Sequence, residues 1–122
     1  MNQTTQVLSL NDLTKNIIEA IEDKKGYEIV SIDLRKLNNP FTDMFIICHG
    51  TSDKQVEAIA DNIERQISQK FREKPVHREG YENKEWILLD YFDVVVHIFQ
   101  EEKRYFFNLE SLWGDGEIKK YN

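Results

Sequence analysis

The chain has 122 residues, of which 40% are hydrophobic and 31% charged, a composition typical of one soluble globular domain. Sixteen basic and 22 acidic residues give a net charge of -6, which argues against binding to nucleic-acid phosphates and favours a basic protein as partner. The lone Cys48 excludes an intramolecular disulfide and a multi-cysteine zinc site, so we expect a buried thiol. Without a secretory signal or an apolar run of membrane-spanning length, a cytoplasmic protein is expected.

The first half of the chain predicts two amphipathic helices with two strands between them. Ser9, followed by Asp12, is typical of a helix N-cap, and Gly26 is the expected end of that helix. The stretches YEIVSIDL and MFIICHG predict strands that are joined through the turn-forming stretch NNPF. Ser52 and Gln55 repeat the capping pattern before a second helix. The apolar positions at helical spacing are Leu10, Leu13, Ile17, Ile18 and Ile21 in the first helix, and Val56, Ile59, Ile63, Ile67 and Phe71 in the second.

The second half predicts a strand pair, a short helix and a tail. A short extended stretch, VHRE, leads to the strands EWILLD and DVVVHIF, and a helix then runs from about Glu101 to Trp113. We expect residues 1–8 and 114–122 to be flexible tails, and residues 9–113 to form one domain. Helices interleaved with strands in this order predict an α/β (α+β) fold with a single mixed β-sheet and flanking helices.

The last two predicted strands read as an antiparallel hairpin whose turn is Tyr91 and Phe92. This register places Trp86 opposite His97. Tyrosine and phenylalanine are unfavourable in a tight turn that needs positive φ, so a register shifted by one residue stays open. The other expected pairs are Leu89 with Val94, Leu88 with Val95, and Ile87 with Val96.

Alternation of side chains gives this hairpin two faces of different chemistry. One face is aliphatic, as a sheet beneath packed helices requires. The other mixes large rings with charges, which is typical of a protein interface, and we expect His97 to lie beside Trp86 on this exposed side. The first face holds Ile87, Leu89, Val94, Val96 and Ile98; the second holds Trp86, Leu88, Asp90, Asp93, Val95, His97 and Phe99.

Each of these residues also has a purely structural interpretation. A histidine inside a strand is more often hydrogen-bonded than catalytic, which applies to His97. Trp86 and Trp113 are equally consistent with the edge of a core. Asp90 and Asp93 are common residue types at the ends of a hairpin turn.

Four stretches in this order, TDMFIICHGTSDKQVEAIAD, HREG, WILLDYFDVVVHIF and EEKRYFFNLESLW, resemble the Iojap family of ribosomal silencing factors. The resemblance covers the chain from about the first helix to Trp113. It implies a non-enzymatic factor, without cofactor or metal, that binds the large ribosomal subunit through its protein fourteen. That binding would block joining of the small subunit and repress translation when nutrients are short. The resemblance also implies a nucleotidyltransferase-like sheet and a possible homodimer, and no direct nucleic-acid recognition is expected.

The resemblance extends to individual positions, with two departures. Phe92 stands where the family usually has glycine, and His49 where it usually has a small residue. The first departure affects the hairpin turn and adds an aromatic ring to the expected binding face. The matching positions are Thr42, Asp43, Gly50, Ser52, Glu79, Gly80, Trp86, Asp90, Asp93, His97, Arg104, Leu109, Glu110 and Trp113. The residues predicted to bind the partner are Trp86, Leu88, Asp90, Tyr91, Phe92, His97, Phe99, Arg104 and Phe107.

A nucleotidyltransferase-like enzyme is the alternative function, and a dimerising adaptor module is a third. Active nucleotidyltransferases need a Gly-Gly or Gly-Ser turn followed by two carboxylates that alternate on a strand and hold metal ions. This chain has Gly50 and Thr51 instead, and the downstream acids Asp61 and Glu64 fall within the second helix. The sequence also lacks a phosphate-cradling loop, so it favours a binding protein.

Overall fold

The computed structural model describes residues 9–37 and 42–122 of the chain. These residues form four helices and six strands, with the helices interspersed among the strands. Within these ranges, no helix has the length and apolar character that crossing a membrane requires. The helices are α1 Leu10–Asp23, α2 Asp53–Phe71, α3 Glu101–Phe107 and α4 Leu109–Leu112; the strands are β1 Tyr27–Asp33, β2 Met44–Gly50, β3 His77–Glu79, β4 Trp86–Asp90, β5 Val94–Gln100 and β6 Glu117–Lys120.

The strands form one six-stranded sheet in the order β3-β4-β5-β2-β1-β6. β2 and β5 pair in parallel, whereas all other neighbouring strands pair antiparallel. A parallel pair requires a crossover connection, and the connection between β2 and β5 contains α2. The predicted α+β fold with a single mixed sheet and flanking helices is therefore confirmed.

The predicted N-caps of the two long helices are also confirmed. The Ser9 hydroxyl accepts a hydrogen bond from the Asp12 N–H at 3.0 Å, and the Ser52 hydroxyl accepts one from the Gln55 N–H at 3.1 Å. The Gln55 side chain in turn accepts a hydrogen bond from the Thr51 N–H at 2.9 Å. These bonds satisfy N–H groups that have no partner inside the helix, so they determine where α1 and α2 begin.

The main core lies between one face of the sheet and the helices α1 and α2. The aliphatic face of the β4–β5 hairpin belongs to it, as predicted. Cys48 is also buried there, and burial raises the pKa of its thiol to about 12, so the thiol stays protonated and unreactive. The fully buried residues of this core include Ile17, Ile21, Ile46, Ile59, Ile63, Ile67, Ile87, Leu89, Val96 and Ile98.

The β4–β5 hairpin has the predicted faces but not the predicted register. Trp86 lies opposite Phe99, and Leu88 lies opposite His97, so the pairing differs from the prediction by two residues. Side chains alternate between faces with a period of two, and a shift of two therefore leaves each residue on its predicted face.

The turn of this hairpin explains the error in register. The Tyr91 N–H donates to the carbonyl of Val94 at 2.8 Å, which makes Phe92 and Asp93 the turn residues. Phe92 has a φ of 74°, a left-handed conformation that glycine adopts without the roughly 1–2 kcal/mol that a side chain adds. The Asp90 carboxylate accepts a hydrogen bond from the Phe92 N–H at 2.7 Å. Asp90 therefore forms the turn, as its structural interpretation proposed.

The second face of the sheet is not open as predicted, because α3, α4 and the chain that follows cover much of it. Leu109 and Trp113 pack there against Phe45 and the strands. The prediction of an exposed face is therefore wrong for His97 and Phe99, which are 5% and 0% exposed. The buried members of this second core are Val30, Ile32, Leu34, Phe45, Ile47, Val95, Phe99 and Leu109.

The prediction of a flexible tail over residues 114–122 is wrong for residues 117–120. They form β6, which pairs antiparallel with β1 and places Ile118 opposite Ile32. Without β6, the backbone of β1 would be an unpaired sheet edge. Its free N–H and C=O groups can pair with a strand of almost any side-chain composition, so the side chains of residues 117–120 do not reveal the pairing. The predicted tail at residues 1–8 and the turn NNPF at residues 38–41 lie outside the described ranges.

The single helix predicted from Glu101 to Trp113 is divided in two at Asn108. Asn108 has a φ of 49°, a conformation that asparagine tolerates better than most residues. Its side chain donates a hydrogen bond to the Ser111 hydroxyl at 2.9 Å. The division ends α3 after Phe107 and begins α4 at Leu109, which is buried in the second core.

Candidate partner-binding surface

The residues predicted to bind a partner separate into a buried group and an accessible group. The buried side chains expose little or no surface to a partner. The accessible ones include two exposed phenylalanines and three half-buried residues of β4. The buried group is Tyr91, His97, Phe99 and Arg104; the accessible group is Trp86, Leu88, Asp90, Phe92 and Phe107.

An apolar surface joins the start of β4 to α3. The Trp86 and Phe107 rings lie 4.8 Å apart between centroids, and the Phe107 and Phe106 rings lie 5.2 Å apart. Phe106 is 78% exposed and Phe107 is 44% exposed. Leu88 lies on the same strand face as Trp86 and is half-buried. We call Trp86, Leu88, Phe106 and Phe107 the apolar surface, and contiguous exposed groups of this kind mark interaction sites.

The fold fixes the orientation of Trp86 within this surface. Its ring stacks on Phe99 at 4.8 Å, and its Nε1–H donates a hydrogen bond to Nδ1 of His97 at 3.1 Å. A ring held in this way loses little conformational freedom when a partner binds, which favours affinity. His97, expected at the exposed interface, instead supports Trp86 from inside the second core.

His97 is held in its neutral form by its surroundings. Burial lowers the pKa of His97 to about 4. Because Nδ1 accepts the hydrogen bond from Trp86, the ring proton resides on Nε2. Among the described residues, Nε2 of His97 has no hydrogen-bond partner. The position therefore suits a neutral structural histidine, and its structural interpretation is the one that the geometry supports.

Asp90 and Phe92 lie at the opposite end of the hairpin from Trp86. Asp90 is four residues from Trp86 along β4, a separation of about 14 Å at the rise of an extended strand. Thr42 and Asp43 meet this turn: the Thr42 hydroxyl donates to the carbonyl of Phe92 at 3.0 Å, and the Asp43 N–H donates to that of Asp93 at 3.1 Å. These family-matched positions therefore support the hairpin turn and not the apolar surface.

Arg104 connects α3 to three other elements from a position that is 2% exposed. Its Nη1 donates to Nδ1 of His49 at 2.9 Å and to the carbonyl of Tyr27 at 3.3 Å. Its Nη2 and Nε donate to the Glu110 carboxylate at 3.1 and 3.3 Å. Arg104 therefore stabilises the position of α3 against β1, β2 and α4, and its burial leaves little of it accessible to a partner.

A group of possible metal ligands surrounds the other nitrogen of His49. One ligand atom each from Glu28, His49 and Glu101 lies within 4.8 Å of the others. Arginine can only donate hydrogen bonds, so Nδ1 of His49 accepts from Arg104 and the proton of the neutral ring resides on Nε2. The N–H at Nε2 points toward the two carboxylates. A metal ion would instead bind a nitrogen that carries a lone pair. The arrangement therefore fits a network of ionic contacts better than a metal centre.

The acids considered for an enzyme are engaged in structural contacts on α2. The Glu64 carboxylate accepts a hydrogen bond from Arg78 at 2.9 Å and another from the Tyr81 hydroxyl. Burial raises the pKa of the nearby Asp61, and repulsion from Glu57 and Glu64 adds to the effect. Both acids lie on a helix and do not alternate on a strand, so the geometry does not favour two-metal nucleotidyl transfer.

A cavity of about 730 Å³ lies between α1 and the strands β1 and β6. Its lining mixes basic side chains such as Lys15 and Arg35 with acidic ones such as Glu19 and Asp33. None of the family-matched positions lines it. It therefore has no evident connection with the apolar surface.

The sequence model of the family described as "Ribosomal silencing factor during starvation" matches residues 7–121. The chain belongs to this family. The match includes every residue of the apolar surface, the Arg104 contacts and β6.

Curated members of the ribosomal silencing factor family resemble the chain over most of its length. The ribosomal silencing factor of Halalkalibacterium halodurans is 39% identical over 108 residues, which cover 88% of this chain and 91% of the relative. That of Bacillus subtilis is 38% identical over 112 residues, covering 91% and 92%. The chloroplastic protein Iojap of Zea mays is 35% identical over 100 residues, covering 82% of this chain and 42% of that protein. The resemblance to the Iojap family is confirmed.

Two solved structures have the same fold as this member of the silencing factor family. A crystal structure of a protein from Chromobacterium violaceum matches with a TM-score of 0.82 and 35% identity, over 87% of both chains. A second, from Bacillus halodurans, matches with a TM-score of 0.73 and 38% identity, over 84% of this chain and 94% of the other. The arrangement of helices on the mixed sheet is therefore shared within known structures.

Two residues of the site were not predicted from the sequence. Phe106 was not singled out, although it is the most exposed ring of the apolar surface. The adjacent pair Phe106 and Phe107 was a usable signal, because two neighbouring helical residues point in different directions and both rarely face one core. The family resemblance marks His49 only as a departure, since nothing local indicates its contact with Arg104, which is 55 residues away.

Proposed function

We propose that this silencing factor binds the large ribosomal subunit through its protein fourteen and prevents the small subunit from joining. It thereby represses translation when nutrients are short, and it acts in the cytoplasm without a catalytic step. Family membership supports the ribosomal setting. The structural observation that carries the proposal is the apolar surface formed by Trp86, Leu88, Phe106 and Phe107.

The chemistry of this surface fits a protein partner. Interfaces concentrate their binding energy in a few aromatic residues that a partner covers completely, and tryptophan is prominent among them. Trp86 is half-buried in a fixed orientation, and Phe106 and Phe107 extend the surface beyond it. A net charge of -6 favours a basic partner over the phosphates of ribosomal RNA.

The sharpest test of this surface is Phe106→Ala. Phe106 is 78% exposed, so its removal should leave the thermal midpoint nearly unchanged. Loss of an aromatic contact at the interface should weaken binding to isolated large subunits by about tenfold or more. Co-sedimentation with large subunits measures this, and Ile118→Ala, an exposed apolar residue on β6, is the matched control that should bind normally.

Trp86→Ala is a less clean probe, because Trp86 also contacts Phe99 and His97 inside the fold. Its loss should lower both the free energy of unfolding and the affinity for the large subunit. Unchanged sedimentation of Phe106→Ala, together with unchanged sedimentation of Phe107→Ala, would exclude the apolar surface as the binding site. If the protein instead dimerises through this surface and ignores the subunit, analytical ultracentrifugation of the free protein will show a dimer that Phe106→Ala dissociates.

A functional assay separates silencing from simple attachment. Large subunits that carry the protein should fail to form complete ribosomes when small subunits and magnesium are added. Equal formation of complete ribosomes with and without bound protein would contradict the proposed function, even if binding were tight.

A further inference from the structure

The part of the apolar surface that α3 supplies depends on tertiary contacts for its position. α3 has 7 residues, and an isolated helix of that length is unstable in water. Its start has no side-chain cap, because Gln100 makes no capping hydrogen bond, and at its end the Asn108 N–H donates to the carbonyl of Arg104. Arg104, in the middle of α3, is instead buried and bonded to β1, β2 and α4.

The bond from Arg104 to His49 connects α3 to the central parallel strands. β2 and β5 end side by side, with Gly50 opposite Gln100, so α3 begins next to His49. His49 is 1% exposed, and its ring stacks with that of Tyr27 at 5.6 Å. Packing therefore fixes its ring, and Nδ1 presents a lone pair toward Arg104 at 2.9 Å.

We infer that His49 and Arg104 are positioning residues for the apolar surface: their hydrogen bond fixes α3 on the sheet and so holds Phe106 and Phe107 beside Trp86. The effect on binding rests on the proposed function, whereas the effect on α3 does not. Arg104 and Phe107 lie three residues apart on one short helix, so a rotation of α3 about Arg104 moves both rings.

Protonation of His49 should break this bond. A charged imidazole carries protons on both nitrogens, and Nδ1–H would then face the N–H of Arg104. The charged and titratable groups around His49 are Glu101, Arg104 and Tyr105 of α3, Glu28 of β1 and Glu110 of α4. Burial and the Arg104 charge lower the pKa of His49, while the three carboxylates act in the opposite direction. The bond is therefore intact at neutral pH and is lost as the pH falls through the lowered pKa of His49.

The first experiment uses the free protein and nitrogen NMR. At neutral pH, the ring signals of His49 should show the proton on Nε2, as the geometry requires. As the pH falls, the backbone amide signals of α3 should shift with the same midpoint as His49. A proton on Nδ1 at neutral pH, or α3 signals that ignore the titration of His49, would overturn the inference whatever the ribosome does.

The second experiment measures binding to isolated large subunits at about pH 7.5 and at a pH below the His49 midpoint that the NMR titration gives. Wild type should bind about fivefold or more weakly at the lower pH, a typical coupling between two sites. His49→Asn places an acceptor at the same number of bonds from the backbone and does not titrate, so it should keep neutral-pH binding and lose this pH dependence. His49→Gln moves the acceptor one bond farther, and should bind weakly at both pH values.

Thermal melting of each variant keeps this test interpretable, because affinity is compared only where the protein is folded. A pH dependence in His49→Asn as large as that of wild type would overturn the inference. So would full binding by His49→Gln at neutral pH. One further outcome is that the α3 amide signals of the free protein shift with the titration of His49 while neither wild type nor any variant binds large subunits at any pH. In that case the proposed function fails and the positioning role stands.

Discussion

His97 shows how a single buried residue makes the fold sensitive to acid. Its Nδ1 accepts the indole N–H of Trp86, and its Nε2–H has no hydrogen-bond partner among the described residues. A proton added to this ring would place a charge in the second core without an acceptor to stabilise it. Burial accordingly lowers the pKa of His97 to about 4.

The stability of the protein should therefore fall between pH 6.5 and pH 4. In that window the unfolded chain, with a histidine pKa near 6.5, binds a proton that folded His97 does not. The free energy of unfolding thus rises with pH there, and His97 alone should remove about 2 kcal/mol between pH 7 and pH 5. Urea unfolding at the two pH values measures this loss.

His97→Asn is the matched variant, because its side-chain oxygen can accept the Trp86 N–H and does not titrate. It should be less stable than wild type at pH 7 but lose about 2 kcal/mol less on acidification. His77→Asn, at an exposed histidine on β3, should keep the full acid effect. Equal acid sensitivity in wild type and His97→Asn would show that other groups cause it.

At the scale of the element, the β4–β5 hairpin carries a local conflict between sequence and structure. Phe92 adopts a φ of 74° with its side chain 72% exposed, so burial offsets little of the backbone cost. The turn persists because its neighbours specify it: Asp90 bonds to the Phe92 N–H, Thr42 bonds to the Phe92 carbonyl, and Asp43 bonds to the Asp93 carbonyl.

Phe92→Gly should stabilise the protein. Glycine adopts this conformation without the roughly 1–2 kcal/mol of strain that a side chain adds. Because glycine is also more flexible in the unfolded chain, about 0.5–1 kcal/mol of this stabilisation is lost. The expected net increase in the free energy of unfolding is about 0.5–1 kcal/mol, measured by urea unfolding at pH 7.

Asn108→Gly is the control, since Asn108 has a φ of 49° but is a residue that tolerates it. This variant also loses the hydrogen bond to Ser111, so it should be no more stable than wild type. If Phe92→Gly loses stability, the Phe92 ring makes contacts that outweigh the strain, and equal gains in both variants would contradict a strain specific to Phe92.

At the scale of the whole molecule, net charge affects the rate at which the protein associates with a partner more than the rate at which it dissociates. A net charge of -6 attracts a basic surface over distances set by the ionic strength. The apolar surface acts only at contact, where its rings lose water. Encounter and residence should therefore respond differently to salt.

Raising the salt concentration from about 0.05 M to about 0.3 M should slow association with large subunits by about tenfold, with a smaller change in dissociation. Phe106→Ala should show the reverse pattern at fixed salt: a nearly unchanged association rate and faster dissociation. Stopped-flow measurements with labelled protein give both rates. Association that does not depend on salt, or equally tight binding to protein-free ribosomal RNA, would contradict this account of the partner.

The sequence by itself determined the features that depend on neighbouring residues. The caps at Ser9 and Ser52 and the helical spacing of the buried isoleucines depend on interactions within a few residues, so they were predicted correctly. The two faces of the hairpin also follow from strand alternation alone. Even a register error of two residues left them unchanged.

Only the tertiary structure decided which of those faces meets solvent. α3 and α4 cover His97 and Phe99 but leave Trp86 half-exposed, and no property of the hairpin sequence indicates where a later helix will lie. The Arg104 bond to His49 and the pairing of β6 with β1 likewise join residues that are 55 or more positions apart. Such contacts form because the fold brings distant donors and acceptors together, so neither is visible in any local pattern; the first of them supports the proposed binding surface.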